Sequence, residues 1–413
     1  MDSILNLITL PDAWESYYAH KSSRLCPEAF IKELRAFVDA RAYAPVCEAI
    51  SRGEAFPLPE KRFIEKPGSS KKRAVYTYPP AENMVLKLVT FLLLRRYDGL
   101  FSPNLYSFRP EHTAKGALRS LLGVRGIRGM FSYKVDVSDY FNSIDITRFL
   151  PELECALHDD PRLYAFLSAL LTEPAVIYKK RLIKETKGIM AGTPQAAFYA
   201  NLFLRGLDEM FYLKGIPYCR YSDDIITFAP DKDGAAANAE LIRAYLAEKG
   251  LKVNPDKECF TSPEEGFTFL GFYCANGKTD IARASLKKIK QKMRRKMRAL
   301  QRWQHRKQLD GSKAARAFIK AFNRKMFENS AGSELTWAYW YFPVITTADS
   351  LHEIDLYAQE CIRFLISGTR TKARYSVRYE DMKQLGYRSL VHEYYAYNGE
   401  ARLFGSAQTI FRT

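Results

Sequence analysis

The sequence predicts an α+β fold in which short strands are combined with longer amphipathic helices. Apolar and polar residues alternate from 133 to 138, which is the two-residue period of a β-strand. Two short β-prone stretches, 217–221 and 225–228, flank a tight turn and predict a β-hairpin. Helical periodicity, with apolar residues three and four positions apart, is clearest from 286 to 303.

The composition favours a folded protein that binds a polyanion. At 413 residues the chain is long enough for two or three lobes. Its 63 Lys and Arg residues give a formal net charge of +17, which indicates a polyanionic partner. A hydrophobic fraction of 47% is normal for folded proteins and excludes a disordered basic tail.

Cysteine usage and the first residues of the chain predict a cytoplasmic location. The seven cysteines are odd in number and show no Cys-x-x-Cys spacing, which is typical of reduced thiols in a cytosolic protein. The N-terminus lacks the basic region of a secretory signal. The best apolar run, 84–94, contains Lys87 and is far shorter than the roughly 20 residues of a membrane span, so no membrane partner is expected.

Three carboxylates are the candidate metal ligands. Asp223 and Asp224 fall in the turn of the predicted hairpin, and Asp136 falls at the end of the predicted strand. Adjacent carboxylates repel each other and favour a neighbouring cation, and their hard oxygens suit Mg²⁺. Carboxylates from two strands can hold two metal ions roughly 4 Å apart for in-line phosphoryl transfer. The alternatives are a solvated turn for the Asp pair and a capping or salt-bridging role for Asp136.

Between these acidic elements, residues 188–204 predict a turn followed by a helix of small residues. Gly192 and Thr193 form the turn, and Pro194 suits the first position of a helix. The alanines that follow allow a nucleotide or a template base to approach the backbone. A well-packed core helix explains the alanines equally well, but it does not explain the polar residue Gln195 in the first turn.

Taken in order, these motifs resemble the reverse transcriptase family. The matching segments are Ile64-Glu-Lys-Pro-Gly with Lys72-Arg73 (fingers hairpin), Ser107-Phe-Arg-Pro110 (a bacterial motif), Asp136-x-x-x-x-Phe141 (motif A), Gly192-Thr-Pro-Gln195 (motif B), Tyr221-Ser-Asp-Asp224 (motif C), Gly250 to Lys257 (motif D) and Phe269-Leu-Gly-Phe272 (motif E). The resemblance covers about residues 60–280. It departs from the common bacterial motif B after Gln195, where Ala-Ala-Phe-Tyr follows, and this departure argues against a standard group II intron protein.

The resemblance implies a right-hand polymerase fold with fingers, a palm built on an antiparallel sheet, and a helical thumb. The predicted division is a helical N-terminal extension at 1–59, fingers at 60–130, a palm at 131–281, and a helical thumb with a C-terminal extension at 282–413. The palm includes a helix predicted at about 233–249, which ends at Gly250.

The resemblance also implies a role for each candidate site residue. Asp136, Asp223 and Asp224 hold two Mg²⁺ ions, which Mn²⁺ can replace, and the backbone carbonyl of Val137 assists. The remaining implied roles are a triphosphate grip for Lys66 and Arg73, an aromatic gate against the ribose 2′-hydroxyl for Phe141, positioning of template or nucleotide for Gln195, and protonation of pyrophosphate for Lys257.

Residues 287–307 predict a helix that binds a nucleic-acid backbone. This segment contains 11 Lys or Arg residues and no Asp or Glu, whereas a merely solvated face normally alternates in sign. Its apolar stripe is expected to dock on the palm. The cations expected on the other faces are Lys288, Lys292, Arg295, Arg298, Arg302 and Arg306. A helix on a membrane surface is the competing interpretation.

The aromatic-rich C-terminal part allows two interpretations. Aromatic residues at 335–344 and 385–395, together with Arg370 and Arg388, form either a buried core or a stacking platform for unpaired RNA bases. The six histidines are scattered, so neither a zinc site nor a His/Cys nuclease centre is expected.

These motifs predict an RNA-directed DNA polymerase. The implied partners are deoxynucleoside triphosphates, a dedicated noncoding RNA template and the cDNA product. The compact chain resembles the bacterial "unknown group" of anti-phage defence reverse transcriptases, with class 2 as the specific expectation. Two alternatives stay open: a splicing maturase of the group II intron kind, and a template-independent or protein-primed polymerase of the abortive-infection kind.

Overall fold

The computed structural model describes residues 2–24, 26–65, 72–186, 188–328, 337–369 and 373–399. They form two compact units. The first comprises Met1–Arg24 and Glu28–Glu265, and the second comprises Leu25–Pro27 and Gly266–Thr413. The four-part division into extension, fingers, palm and thumb stays a prediction.

The strands are short and fall into three sheets. In chain order they are β1 (Glu60–Glu65), β2 (Lys72–Thr77), β3 (Phe131–Asp136), β4 (Ala175–Tyr178), β5 (Arg181–Lys184), β6 (Tyr218–Tyr221), β7 (Asp224–Ala229), β8 (Cys259–Thr261), β9 (Phe267–Phe269), β10 (Phe272–Ala275) and β11 (Lys278–Ile281). The sheet orders are β2-β1-β4-β5 and β6-β7-β3-β8 in the first unit, and β11-β10-β9 in the second.

Helices are the most frequent elements of both units. Those of the first unit are α1 (Ile4–Leu7), α2 (Pro11–Ser22), α3 (Glu28–Asp39), α4 (Ala44–Ser51), α5 (Pro80–Arg96), α6 (Ala114–Gly123), α7 (Tyr140–Ser143), α8 (Ile146–Ala156), α9 (Pro161–Thr172), α10 (Ala196–Phe203), α11 (Arg205–Leu213) and α12 (Lys232–Glu248). Those of the second unit are α13 (Arg283–Lys307), α14 (Gly311–Met326), α15 (Trp337–Tyr341), α16 (Asp349–Ser367), α17 (Ala373–Ser376), α18 (Tyr379–Gln384) and α19 (390–399). Short 3₁₀ turns lie at Asp98–Leu100, Ile127–Gly129 and Pro255–Lys257.

The core of the first unit is built around α5. This helix buries apolar residues on several sides, including Val85, Leu88 and Leu93, and it contacts the N-terminal helices α1, α2 and α4. Asp160 ties the start of the chain to this core, because its carboxylate caps α9 and also accepts the backbone N–H of Ile4 at 2.8 Å. The N-terminal helices are therefore packed into the first unit.

The sheet that contains β3 positions the candidate site. Strand β3 lies between β7 and β8, and both neighbours are antiparallel to it. Tyr133, Val135 and Ile225 are completely buried in this sheet, and α12 packs against β3 and β7. The side chain of Asp231 caps α12 by accepting the backbone N–H of Gly234 at 2.7 Å.

The second unit joins a three-stranded sheet to packed helices. Strands β9 and β10 are connected by a turn at Leu270 and Gly271, where both residues have positive φ. The carbonyl of Gly271 accepts the N–H of Ala282 at 2.9 Å, which ties this turn to the start of α13. Helices α13, α14 and α16 then pack against one another.

Most of the elements expected from the sequence are present, with one correction. Pro194 does not open a helix. Ala191 accepts the N–H of Tyr76 at 2.9 Å and Gly192 has a φ of 104°, so the segment turns against β2 and the helix begins at Ala196. The apolar stripe of α13 packs against α14 and α16 within the second unit, and its expected docking on the palm stays a prediction.

No helix in the described ranges is both long enough and apolar enough to span a membrane.

Candidate functional site

Strand pairing brings the three predicted acids together. Asp136 lies directly opposite Asp224 in the register of β3 and β7. Asp223 precedes Asp224 in the turn, and its carbonyl accepts the backbone N–H of Val137 at 3.2 Å. Asp136 is only 4% exposed. Four residues predicted to act on metal ions are thus contributed by two neighbouring strand ends.

These carboxylates are near enough for each to affect the pKa of another. Burial raises the pKa of Asp223, and the negative charge of Asp136 raises it further. Burial also raises the pKa of Asp224, although the ammonium of Lys134 opposes this effect. Each acid would therefore keep its charge more easily beside a cation. Hard, anionic oxygens with this mutual repulsion fit Mg²⁺ or Mn²⁺ chemically.

Within the described residues, no three acidic, His or Cys side chains are gathered closely enough to form a metal site. Both carboxylate oxygens of Asp136 instead accept hydrogen bonds from the chain itself. Lys257 Nζ donates to Oδ2 at 2.5 Å, and the side-chain amide of Asn254 donates to Oδ1 at 3.3 Å. The ammonium of Lys257 therefore partly neutralises the acids.

Backbone hydrogen bonds fix the segment that carries Lys257 next to the end of β3. The N–H of Ser138 donates to the carbonyl of Lys252 at 2.8 Å, and the N–H of Asn254 donates to the carbonyl of Asp136 at 2.8 Å. Burial lowers the pKa of Lys257, but the hydrogen bond and charge of Asp136 outweigh burial, so the net shift is upward. The predicted proton donor therefore carries a proton at neutral pH.

Phe141 lies on α7, five residues after the last residue of β3, and is half-buried. The hydroxyl of the preceding residue, Tyr140, donates to the carbonyl of Ala200 at 2.5 Å inside the core. The Phe141 carbonyl accepts the N–H of Ile189 at 2.9 Å. Gly188 packs so closely that an added Cβ would lie 2.2 Å from this carbonyl oxygen. The backbone of the predicted gate is therefore fixed.

Gln195 is buried next to the start of α10. Burial raises the pKa of Tyr78 and the Gln195 side chain opposes that rise, while Oε1 of Gln195 has no hydrogen-bond partner among the described residues. Ala196 and Ala200 are buried, in agreement with the core-helix interpretation of the small residues. Core packing does not explain why the buried amide of Gln195 has a free acceptor, because buried polar atoms are normally hydrogen-bonded.

Of the two residues predicted to bind the triphosphate, the structure describes only Arg73. Arg73 lies on β2 opposite Ile64, is exposed, and its positive charge lowers the pKa of Asp223. Arg73 is therefore near enough to influence the acids. Lys66 lies outside the described residues.

A buried polar network beneath the acids was missed by the sequence analysis. Arg220 is completely buried and makes two bonds to the carboxylate of Asp208, at 2.8 and 2.5 Å. Its Nη2 also donates to the carbonyl of Asn201 at 3.0 Å. The signal available in the sequence was Arg220 itself, a positive residue within the predicted strand of the hairpin. A buried Arg requires a buried acid as its partner.

Comparison with known proteins identifies the family. The family described as "Reverse transcriptase (RNA-dependent DNA polymerase)" matches residues 64–274, about half of the chain. The chain belongs to the reverse transcriptase family. This match confirms the predicted family and the α+β, right-hand polymerase fold class, and it contains every candidate residue of the first unit.

The individual proteins that resemble this chain are distant in sequence. The group II intron-encoded protein LtrA of Lactococcus lactis subsp. cremoris is 23% identical over 190 residues, which cover 44% of this chain. The same identity and coverage hold for LtrA of strain MG1363. The chain spans only 30% of the length of these curated relatives. Apo telomerase from Candida tropicalis, truncated from its C-terminal domain, gives a TM-score of 0.45 at 11% identity and 55% coverage of each chain.

Helix α13 follows the part that matches the reverse transcriptase family. Leu286, Ile289, Met293, Met297 and Leu300 are buried. All six predicted nucleic-acid-binding cations are exposed: Lys288, Lys292, Arg295, Arg298, Arg302 and Arg306. By contrast, Lys290 is bonded to Glu353 at 2.5 Å. The helix therefore has a buried apolar face, an edge where Lys290 is paired with Glu353, and an exposed cationic face.

The next helix repeats this pattern and was not singled out from the sequence. Helix α14 contains no acidic residue, and Lys313, Arg316, Lys320 and Arg324 are exposed at intervals of three or four. None of these four pairs with a described carboxylate. Two adjacent helices of the second unit thus present cations.

The C-terminal aromatics mostly support the core interpretation. Tyr341, Tyr387 and Tyr394 are buried, whereas Tyr339 and Tyr395 are exposed. Arg388 is bonded to Glu393 at 2.7 Å, and Arg370 lies outside the described residues.

Proposed function

We propose that the protein is an RNA-directed DNA polymerase. The observation that carries this proposal is the β3–β7 register, which sets Asp136 opposite Asp224 with Asp223 in the adjoining turn. Carboxylates on two neighbouring strand ends are suited to joint binding of two metal ions.

Asp136, Asp223 and Asp224, assisted by the carbonyl of Val137, would hold two Mg²⁺ ions, with Mn²⁺ as a substitute. The raised pKa of both Asp223 and Asp224 supports this assignment, because a neighbouring cation relieves that repulsion. When bound, the ions lower the pKa of the primer 3′-hydroxyl and stabilise the leaving pyrophosphate.

Lys257 acts as the proton donor to the leaving pyrophosphate. Its contact with Asp136 keeps the ammonium at the acids and keeps it protonated. A positioned acid of this kind contributes rate by supplying a proton as negative charge develops on the leaving group.

Three further residues select the nucleotide. Phe141 blocks the ribose 2′-hydroxyl, and its fixed backbone supports this role because a gate must not yield when a ribonucleotide enters. Arg73, together with Lys66, binds the triphosphate. Gln195 directs its free amide oxygen toward the template or the nucleotide.

The second unit supplies sequence-independent affinity for nucleic acid. Phosphates that pair with the cations of α13 release counterions, which drives binding without reading the bases. The exposed cations of α14 add further positive charge that can pair with phosphates.

We further propose that the template is a dedicated noncoding RNA, that the cDNA is made from deoxynucleoside triphosphates in the cytoplasm, and that the system serves anti-phage defence. The motif resemblance to defence-associated bacterial reverse transcriptases supports this assignment. A group II intron maturase is the second candidate, favoured by the 23% identity to LtrA.

Primer extension with sequenced products tests the proposal. The full-length protein is given Mg²⁺, the four deoxynucleotides, and a DNA primer annealed to RNA or to DNA of the same sequence. The proposal expects products complementary to the RNA. Equal extension without any template would instead establish the template-independent alternative. Sequencing the RNA that co-purifies with the protein from the native host distinguishes the defence assignment from the maturase. A maturase retains intron RNA, whereas the defence assignment requires a separate noncoding RNA.

A further inference from the structure

The turn that carries Asp223 has an unfavourable backbone conformation. Strand β6 ends at Tyr221 and β7 begins at Asp224, so Ser222 and Asp223 form a tight turn. Ser222 has a φ of 61°. Positive φ at the first position of a tight hairpin turn is normally taken by glycine, because a Cβ makes this conformation costly. Something outside the turn must therefore hold Ser222 in place.

Two buried side chains hold Ser222 from both ends. Its backbone N–H donates to the hydroxyl of Ser107 at 2.9 Å. Its carbonyl accepts from Nη1 of Arg220 at 3.3 Å. Ser107 and Arg220 are both completely buried. Both backbone polar groups of Ser222, its N–H and its carbonyl, are thus hydrogen-bonded to buried side chains.

The hydroxyl of Ser107 can only act as an acceptor toward Ser222. Asn201 donates its side-chain N–H to the carbonyl of Ser107 at 2.7 Å, which fixes Oδ1 of Asn201 as the partner of the Ser107 hydroxyl at 3.0 Å. The single hydroxyl proton of Ser107 is therefore committed to Asn201. The lone pairs of the hydroxyl remain for the N–H of Ser222.

We propose that Ser107 is a positioning residue of the active site. Through Ser222 its hydroxyl fixes the turn so that Asp223 faces Asp136, while Asn201 orients the hydroxyl and the Arg220–Asp208 pair anchors the other side of the turn. The consequence for catalysis rests on the proposed polymerase function. The consequence for the backbone of the turn does not.

Hydrogen–deuterium exchange of the Ser222 amide tests the backbone claim in the protein without metal or nucleotide. Ser107→Ala should speed this exchange by about tenfold or more, because a buried N–H loses its acceptor. Ser102→Ala is the matched control. Ser102 lies in the same segment and its buried hydroxyl has no partner among the described residues. Equal exchange in the two variants would overturn the proposal.

Kinetics test the consequence at the acids. Ser107→Ala should lower kcat by about tenfold and raise the Mg²⁺ concentration that gives half-maximal rate, with little change in KM for the nucleotide. Ser107→Thr keeps the hydroxyl and should restore both values. In Ser107→Ala, adding Ser222→Gly should recover part of the rate, because glycine adopts positive φ without support.

The possible failures are distinguishable. If the wild-type protein incorporates no nucleotide, the proposed function fails, while the exchange experiment still decides the role of Ser107. If Ser107→Ala loses thermal stability but keeps the wild-type Mg²⁺ dependence, or if Ser222→Gly recovers nothing, the hydroxyl is only structural and the positioning role is wrong.

Discussion

Gly188 leaves no space for a side chain against the backbone of Phe141. A Cβ at Gly188 would lie 2.2 Å from the Phe141 carbonyl oxygen and 2.3 Å from Cα of Asn142. Gly188 also has a φ of 68°, which glycine adopts without strain. The predicted gate therefore depends on a glycine that is distant in sequence from motif A.

Phe141→Ala should admit ribonucleotides, because removing the ring opens the space beside the 2′-carbon. The loss of discrimination should be on the order of a few kcal/mol. Single-nucleotide incorporation with matched deoxy- and ribonucleotides measures the ratio of kcat/KM values. If the variant rejects ribonucleotides as well as wild type does, Phe141 is not the gate.

Gly188→Ala should both destabilise the protein and relax sugar selection, since the new methyl group displaces the backbone of Phe141. We expect a loss of at least about 2 kcal/mol in the free energy of unfolding. Gly215→Ala is the matched control, because Gly215 has a similar φ of 65° but no atom within 4 Å of the added Cβ. Equal losses in the two variants would show that only backbone strain matters.

The sequence predicted the local elements of the site well. The alternation in β3 and the paired acids after β6 were readable because a strand and a tight hairpin are local patterns. The register of Asp136 against Asp224 was not readable from pattern alone, because it depends on pairing between distant strands.

Residues that act through tertiary contacts were not predicted. Ser107 was recognised only as part of a motif, and neither Arg220 nor Asp208 was assigned a role, since buried polar partners come from separate segments. The apolar stripe of α13 was predicted, but its partners α14 and α16 were not. Amphipathicity shows that a helix has a buried face and does not identify the covering element.

His20 should make stability depend on pH. Burial, followed by the positive charges of Arg95, Arg24 and Lys21, lowers the pKa of His20 from 6.5 to about 4. The unfolded chain then binds a proton at a higher pH than the folded protein does. The free energy of unfolding should therefore fall as the pH decreases from about 6.5 to about 4, and this group should add no slope above that window.

Replacing His20 with Gln should remove about 1 kcal/mol of this dependence, a value reduced for solvent screening of the partly exposed ring. Urea denaturation at about pH 7 and about pH 5 measures the difference. His158→Gln, at an exposed position, is the control. A pH dependence in His20→Gln identical to that of wild type contradicts the assignment.

Neutralising the exposed face of α13 should weaken nucleic-acid binding and leave the acids unaffected. Each lost phosphate contact should flatten the slope of log K against log salt by about 0.7–0.9, depending on whether the bound segment is single- or double-stranded. Activity should partly recover at low salt, and processivity should fall more than single-nucleotide addition. The substitutions are Lys292→Gln, Arg295→Gln, Arg298→Gln and Arg302→Gln.

The control for the α13 experiment lies on the same helix. Arg283 and Lys290 already pair with Glu353, at 3.3 and 2.5 Å. Replacing both with Gln should change the salt slope less than two substitutions on the exposed face. An unchanged slope in the four-residue variant would mean that this face does not bind the backbone.

The central claim is that the acids of β3 and of the β6–β7 hairpin perform RNA-templated nucleotide addition. The most direct measurement is the rate of single-deoxynucleotide incorporation on an RNA template with Asp136→Asn, Asp223→Asn or Asp224→Asn, and with exposed Asp233→Asn as the control. Each of the three should lose roughly a thousandfold in rate or more, about 4 kcal/mol, while RNA affinity and the control rate stay at wild-type values. Wild-type rates in all three variants would contradict the assignment of these carboxylates as the catalytic centre.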